Sequence, residues 1–345
     1  MSAAPLPNLP TTDRHASSRW RRALTVSASC ALLTTTVSLG AAGAATAGSV
    51  TATSVAARST PTSTPVTTTT NIHHGVKPIH PVFSVAPSAA NKLFLHSATT
   101  LGAVAVHPKV YVVFWGNQWS SDPAAAAPAL KAFFRGLHGS ADTWGTDFSQ
   151  YCGGLSVGTK TCGTAGTHIV HPTSSILAGA WFDNASAAPS NATGTQLANE
   201  AIKAAKHFGN LTQASNSNTQ YVIASAAGTH PDGFPNTGFC AWHDFTSSSV
   251  GNIAYTNLPY LPDLGAGGCT TISSPTLLDG YFSTETHEYA ESVTDLWPSK
   301  GWLDASGNEN GDLCVQLDGR LTLPTGTFDV QGVWSNAAGR CVTKG

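Results

Sequence analysis

Apolar residues follow two kinds of spacing along the chain, which predict both strands and helices. Residues 110–115 form a short β-branched and aromatic run, which is typical of a buried strand. Residues 221–224 and 253–255 predict two further buried strands. Because strands and helices mix without a regular β-α-β order, we predict one α+β domain with a mixed sheet.

Three segments carry apolar residues at helical spacing. The first follows Asp122 and Pro123, which suit a helix start, and ends at Gly139. The second spans about residues 195–208. The third is predicted to begin at Ser274-Pro275 and to end at Trp297-Pro298, because proline disfavours helical geometry in the residue before it.

The third helix carries the sequence His287-Glu288-Tyr289-Ala290-Glu291. His287 and Glu291 are four residues apart, so they lie on one helix face and can chelate one cation. Glu288 lies about 100° around the helix, within reach of a metal-bound water. This H-E-x-x-E pattern is a variant of the zinc-peptidase motif H-E-x-x-H.

Glutamate is rare in this chain, which makes the pattern informative. The sequence holds only five Glu, and four of them fall within residues 285–309. A chance H-E-x-x-E is therefore improbable at this composition. The remaining alternative is a surface helix whose His and Glu are merely solvated.

A zinc site of the catalytic kind needs a third protein ligand and one open position. Glu309, in a glycine-flanked loop, is the best candidate for that ligand. Asp312 is a candidate to orient His287. Asp295, four residues beyond Glu291, is either an alternative ligand or a partner of the helix end.

The implied chemistry is metal-assisted hydrolysis, with Glu288 as the general base. His243 is either a donor to the developing oxyanion or a structural histidine anchored by the nearby Cys240. Two carboxylates and one imidazole neutralise Zn²⁺ more than the usual ligand set, and oxygen-rich ligation also suits Ca²⁺ or Mn²⁺.

The first 47 residues have the pattern of a secretory signal peptide. Arg19, Arg21 and Arg22 precede a small, apolar stretch that ends in Ala45-Thr46-Ala47, with a single membrane anchor as the alternative. Residues 48–95, which begin rich in Thr, Ser and Pro, predict a flexible linker or pro-segment. Residues 96–345 are predicted to form the single folded domain.

Six cysteines follow the predicted signal peptide, which suggests three disulfides in an oxidising compartment. Fifteen connectivities are possible. Sequential pairing closes the shortest loops and joins Cys152 to Cys162, Cys240 to Cys269 and Cys314 to Cys341. We therefore expect a secreted, extracellular protein.

Charge and hydropathy exclude several classes of partner. Charged residues make up 10% of the chain, and the formal net charge is −2, so a nucleic-acid binder is not expected. No later segment is long and apolar enough for a membrane span. We expect a monomer that acts on a peptide or protein.

Several segments together resemble the Exordium-like (phosphate-induced protein) family of secreted proteins and its bacterial and fungal relatives. They span roughly residues 104–341 and are residues 110–116, 240–243, 287–295, 301–304, 309–314 and 333–336. The resemblance implies a zincin-like, metallopeptidase-type fold. It also supports His287, Glu288, Glu291 and Glu309 as the metal and catalytic set.

Three functions follow from these observations. The leading hypothesis is a secreted, metal-dependent peptidase or related hydrolase, with zinc as the favoured metal. The alternative is a non-catalytic extracellular or wall-associated protein of the same family with a structural metal site. A carbohydrate-acting enzyme is the third, since nine Trp could stack on sugars, although core packing explains most of them.

Overall fold

The structure is a computed structural model that describes residues 74–78, 92–97 and 102–345. All of them belong to one compact unit, Thr67–Gly345. The predicted signal peptide, residues 1–47, lies outside the described residues.

The described residues form both helices and strands, which makes the fold α+β. The α-helices are α1 (Ala126–Gly136), α2 (Gly194–His207), α3 (Gln213–Asn216) and α4 (Asp279–Thr294). The strands are β1 (His74–Pro78), β2 (Phe94–Leu95), β3 (Lys109–Trp115), β4 (Cys152–Gly153), β5 (Thr167–His168), β6 (Leu177–Asp183), β7 (Thr219–Ser225), β8 (Phe239–Ser248), β9 (Gly251–Leu258), β10 (Trp302–Leu303), β11 (Asp318–Leu323), β12 (Gly326–Gln331), β13 (Val333–Ser335) and β14 (Arg340–Val342).

A six-stranded mixed sheet forms the centre of the unit, in the order β1-β8-β9-β7-β3-β6. Strands β9, β7, β3 and β6 run parallel, whereas β8 pairs antiparallel with both β9 and β1. The predicted mixed sheet is therefore confirmed. Strand β7 is buried along its whole length, as expected for a central strand of such a sheet.

Local sequence explains where the first two long helices begin. The carboxylate of Asp122 accepts hydrogen bonds from the backbone N–H groups of Ala126 and Ala127, so it caps α1 from four residues upstream. Thr193 and Gln196 form a capping box at the start of α2. Both helices lie within a few residues of their predicted positions.

Helix α4 is buried on every side. The prediction that it begins at Ser274-Pro275 is wrong, because Ser274 has a left-handed backbone (φ 59°) and the helix begins only at Asp279. The carboxylate of Asp279 accepts the N–H of Thr276 in the turn before the helix. At its other end α4 stops at Thr294, before Trp297-Pro298.

Two short strands lie inside the segment that the sequence predicts to be a linker. Strand β1 pairs with β8 at the edge of the central sheet, and β2 pairs with β10. The buried Nζ of Lys77 donates to Oγ of Ser283, which in turn donates to Oδ1 of Asp318, so β1 is fastened to α4. These residues belong to the folded unit.

The three disulfides have the predicted sequential pairing. Cys152 is joined to Cys162, Cys240 to Cys269 and Cys314 to Cys341. None of the described helices is long and apolar enough to cross a bilayer. The three disulfides are consistent with an extracellular protein.

Five of the nine Trp are buried in the core, which leaves few for a sugar-binding surface. They are Trp119, Trp144, Trp242, Trp302 and Trp334.

Candidate metal site

Three elements bring a group of imidazoles and carboxylates together in the interior. Strand β8 contributes His243 and helix α4 contributes His287 and Glu291, while the loop between β10 and β11 contributes Glu309 and Asp312. The three predicted ligands do not form one group: Glu291 and Glu309 lie together with His243, whereas His287 lies with Glu291 and Asp312. Other roles were expected for His243 and Asp312.

His243 lies closest to two of the predicted ligands. Its Nε2 is 3.2 Å from each carboxylate oxygen of Glu309 and 3.4 Å from Oε2 of Glu291. All three side chains are buried. Because Nε2 faces these two carboxylates, His243 has the position of a ligand rather than of a free oxyanion donor.

His287 faces the other carboxylate oxygen of Glu291. Its Nε2 is 3.2 Å from Oε1 of Glu291 and 3.9 Å from Oδ1 of Asp312. The backbone N–H of Asp312 donates to Oε1 of Glu291 at 3.0 Å. Asp312 therefore faces the nitrogen of His287 that would bind a metal, and its side chain is 27% exposed.

The other ring nitrogen of His287 contacts Gln331, a residue for which no role was predicted. Nδ1 lies 3.2 Å from Oε1 and 3.0 Å from Nε2 of Gln331, and this Nε2 also donates to the carbonyl of Gly311 at 2.9 Å. In the tautomer whose Nδ1 proton is donated to Oε1 of this amide, Nε2 of His287 is free to bind a metal. Gln331 thus orients His287, the role that we predicted for Asp312.

The loop between β10 and β11, residues 304–317, is called the ligand loop and is hydrogen-bonded to strand β13. The side-chain amide of Asn310 donates to the carbonyl of Trp334, and the N–H of Trp334 donates back to Oδ1 of Asn310. Gly311 then passes so close to α4 that an added Cβ would lie 2.9 Å from both Oε1 of Glu291 and Nδ1 of His287. Only glycine fits this approach.

Of the two roles considered for Asp295, its contacts are those of a partner of the end of helix α4. Its carboxylate accepts backbone N–H groups from Ser299, Lys300 and Gly301. It also lies beside Glu309, and burial together with that neighbouring charge raises the pKa of Asp295 well above its ordinary value. Asp295 supports the turn and the Glu309 side chain, and it belongs to neither group of ligand atoms.

Glu288 is fully buried on the helix face next to this group. Neither of its carboxylate oxygens has a hydrogen-bond partner among the residues that the structure describes. Burial and the negative charge of Glu291 raise the pKa of Glu288 well above its ordinary value. The Glu285 carboxylate, one turn earlier, is unpartnered in the same way, and burial raises its pKa as well.

The histidines and carboxylates of the candidate site change one another's pKa values. Burial alone would raise the pKa of Glu291, but His287 and His243 lower it to about 2. Burial would lower the pKa of His243, but Glu309 and Glu291 raise it well above its ordinary value. Burial raises the pKa of Glu309 to about 7, and partial burial together with the charge of Glu291 raises that of Asp312 to about 8.

These residues fit a divalent cation. Zinc bonds to nitrogen and oxygen are about 2.0–2.2 Å long, so two ligands of one tetrahedral ion lie about 3.3–3.6 Å apart. The separations of 3.4 and 3.2 Å around Glu291 and of 3.2 Å between His243 and Glu309 are close to that range, and the separation of 3.9 Å between His287 and Asp312 is longer. Nε2 of His287 and Oε2 of Glu291 also have no hydrogen-bond partner in the described part of the chain, although both are buried. A bound cation would satisfy such buried polar atoms.

Comparisons with known proteins add no family or relative to this picture. No protein-family model matches the chain, and neither does any curated protein or solved structure.

Proposed function

We propose that this chain is an exported, metal-dependent hydrolase with a zincin-like active site that acts on peptide or protein substrates. The observation that carries the proposal is the buried carboxylate of Glu288, without a hydrogen-bond partner among the described residues, beside histidines and carboxylates at metal-ligand spacing. Zinc is the cation that we favour, because histidine nitrogen and carboxylate oxygen both bind it, with Mn²⁺ or Ca²⁺ as alternatives.

A cation held by these residues supplies Lewis acidity toward a scissile carbonyl and lowers the pKa of a water. Glu288 takes the proton of the attacking water and passes it to the leaving amine. Burial and the charge of Glu291 raise the pKa of its carboxyl, which makes Glu288 a stronger base than an ordinary glutamate. We assign His243 to ligation together with Glu291 and Glu309, and His287 to ligation through Nε2.

Export is proposed from the pattern of residues 1–47 and is supported by the three disulfides. Two of these disulfides lie next to the candidate ligands. Cys240 lies three residues before His243, and Cys314 lies two residues after Asp312. An oxidising compartment would therefore help to hold the ligand-bearing segments in place.

A second function is favoured by the burial of the group. Structural zinc sites are closed, whereas catalytic sites keep an open position. His243, Glu291 and Glu309 are at most 3% exposed, and Glu288 is fully buried. The second candidate is therefore a non-catalytic extracellular or wall-associated protein whose metal only stabilises the fold.

The test compares three forms of the purified full chain: wild type, Glu288→Gln and Glu200→Gln. Glu200 is another buried glutamate, but it lies on α2 beside Asp183 and Lys203, so its variant controls for the loss of a buried carboxyl. Each form is loaded with Zn²⁺ and assayed on a peptide library. We expect Glu288→Gln to bind Zn²⁺ normally and to lose at least about 100-fold in cleavage rate, with Glu200→Gln unaffected.

Equal cleavage by wild type and Glu288→Gln would remove Glu288 as the base. If wild type binds Zn²⁺, melts at a lower temperature after chelation and cleaves no peptide, the second candidate is correct. A protein that binds no divalent cation contradicts both functions.

A further inference from the structure

The candidate ligands fall into two overlapping groups of three rather than into one. His243, Glu291 and Glu309 form the first group, and His287, Glu291 and Asp312 form the second. Within each group, the ligand atoms lie within 4.8 Å of one another. Glu291 is the only member of both groups.

The two oxygens of Glu291 are divided between the groups. Oε2 faces Nε2 of His243 at 3.4 Å, and Oε1 faces Nε2 of His287 at 3.2 Å. A carboxylate that presents one oxygen to each of two ligand sets has the arrangement of a bridge between two cations. Two-metal hydrolytic sites hold their ions about 3.5–4 Å apart, a spacing that such a bridge can span.

We infer that the site binds two divalent cations bridged by the Glu291 carboxylate. This inference rests on the proposed metal-dependent function and specifies how the metal is held. His243 and Glu309 complete the first position, and His287 and Asp312 complete the second.

Charge balance favours two cations over one. Glu291, Glu309 and Asp312 supply three negative charges when ionised, so a single divalent cation leaves the group with a net negative charge. Two divalent cations leave it with a net positive charge, which preserves their Lewis acidity. Two ions thereby overcome the weakness of a carboxylate-rich ligand set around a single zinc.

The two positions differ in their access to solvent. The first is enclosed, since His243 and Glu291 are fully buried and the Glu309 side chain is 3% exposed. The second includes Asp312, whose side chain is 27% exposed. The second cation is therefore the one that exchanges with solvent, and we expect a chelator to remove it first.

The experiment counts ions on the full chain after stripping with chelator and equilibrium dialysis against Zn²⁺. Wild type is compared with Asp312→Asn and with Asp244→Asn. Asp244 follows His243 on β8, belongs to neither ligand group and accepts the N–H of Phe245, so it is a matched control. We expect two Zn²⁺ per chain for wild type and Asp244→Asn, and one for Asp312→Asn.

The Asp312→Asn variant keeps the backbone N–H that donates to Glu291, and thermal melting reports whether it is folded. A second measurement does not depend on any variant. Wild type with two equivalents of Mn²⁺ is expected to give the electron paramagnetic resonance spectrum of a coupled pair.

One Zn²⁺ per wild-type chain, or the spectrum of isolated Mn²⁺, overturns the bridged pair but leaves the proposed hydrolase intact. Two Zn²⁺ on folded Asp312→Asn would show that the second ion binds elsewhere, which also overturns the inference. No bound ion at all would instead contradict the proposed function.

Discussion

Glu309 presents both of its carboxylate oxygens to Nε2 of His243, each at a distance of 3.2 Å. The two residues are 66 positions apart and belong to different elements, a strand and a loop. Their contact places His243 in the same ligand group as Glu291 of α4, and it is the basis of the first prediction.

Replacement of His243 by alanine is expected to weaken Zn²⁺ binding by at least about 100-fold, since even a residue that only supports a ligand changes affinity 10- to 100-fold. Calorimetric titration of the chelator-stripped chain measures the effect. His171→Ala is the control, because His171 contacts Asp142 and lies in neither ligand group. Unchanged affinity in His243→Ala would mean that His243 is structural.

A methyl group at position 311 is expected to disturb the site without affecting the backbone, because the added Cβ would lie 2.9 Å from Oε1 of Glu291 and from Nδ1 of His287. We predict that Gly311→Ala weakens Zn²⁺ binding by about 10-fold or more. In Gly153→Ala the added Cβ meets only ordinary contacts at 3.7 Å or more, so this variant serves as the control. Equal affinities for the two variants would argue against a precise approach of the loop to α4.

Removal of the Cys314–Cys341 disulfide is expected to lower both stability and metal affinity. A closed loop of this length contributes about 3 kcal/mol to the free energy of unfolding, and Cys314 lies close to Asp312 in the ligand loop. Removal of the Cys152–Cys162 disulfide, which is remote from the ligands in the sequence, should lower only the stability. Chemical denaturation and Zn²⁺ titration of the two double Cys→Ala variants separate these effects. Equal loss of affinity in both would contradict a local role.

Glu200 is expected to make the stability depend on pH. Burial and the neighbouring Asp183 raise the pKa of its carboxyl from 4.5 to about 8. The unfolded chain therefore releases this proton at lower pH than the folded chain, so the free energy of unfolding falls as pH rises from about 4.5 to about 8.

In Glu200→Gln this decrease of the free energy of unfolding with pH disappears. Relative to wild type, we expect the free energy of unfolding of the variant to increase by on the order of 2 kcal/mol between pH 5 and pH 8. Urea denaturation at several pH values measures the difference. Parallel stability curves for the two proteins would show that Glu200 ionises normally in the fold.

Strands β3, β7 and β9 could be predicted because each contains a short apolar run. Helices α1 and α2 could be predicted because their apolar residues have helical spacing and polar residues mark where they begin. Strand β8 carries no such signal, since its buried first half includes His243 and its second half is polar without strict alternation. The position of His243 therefore follows only from the pairing of β8 with β1 and β9. The start of α4 was misplaced because Ser274-Pro275 is a helix-start signal that the chain uses in a turn.

Within the site, His287, Glu288 and Glu291 could be identified because the helix fixes their spacing. Glu309 was found because glutamate is scarce in this chain. Gln331 had no sequence signal, since it is one glutamine at the end of β12 and its role depends on a contact across 44 residues. The division of Glu291 between two ligand groups likewise depends on tertiary packing.

The central claim is that Glu291 holds a divalent cation together with His243 and His287. The most direct measurement is the Zn²⁺ content of the purified full chain beside that of Glu291→Gln, a variant of nearly the same shape. We predict stoichiometric Zn²⁺ on the wild type and its loss from a folded Glu291→Gln. Absence of any bound divalent cation from the wild type, or equal Zn²⁺ content in both proteins, would contradict the account.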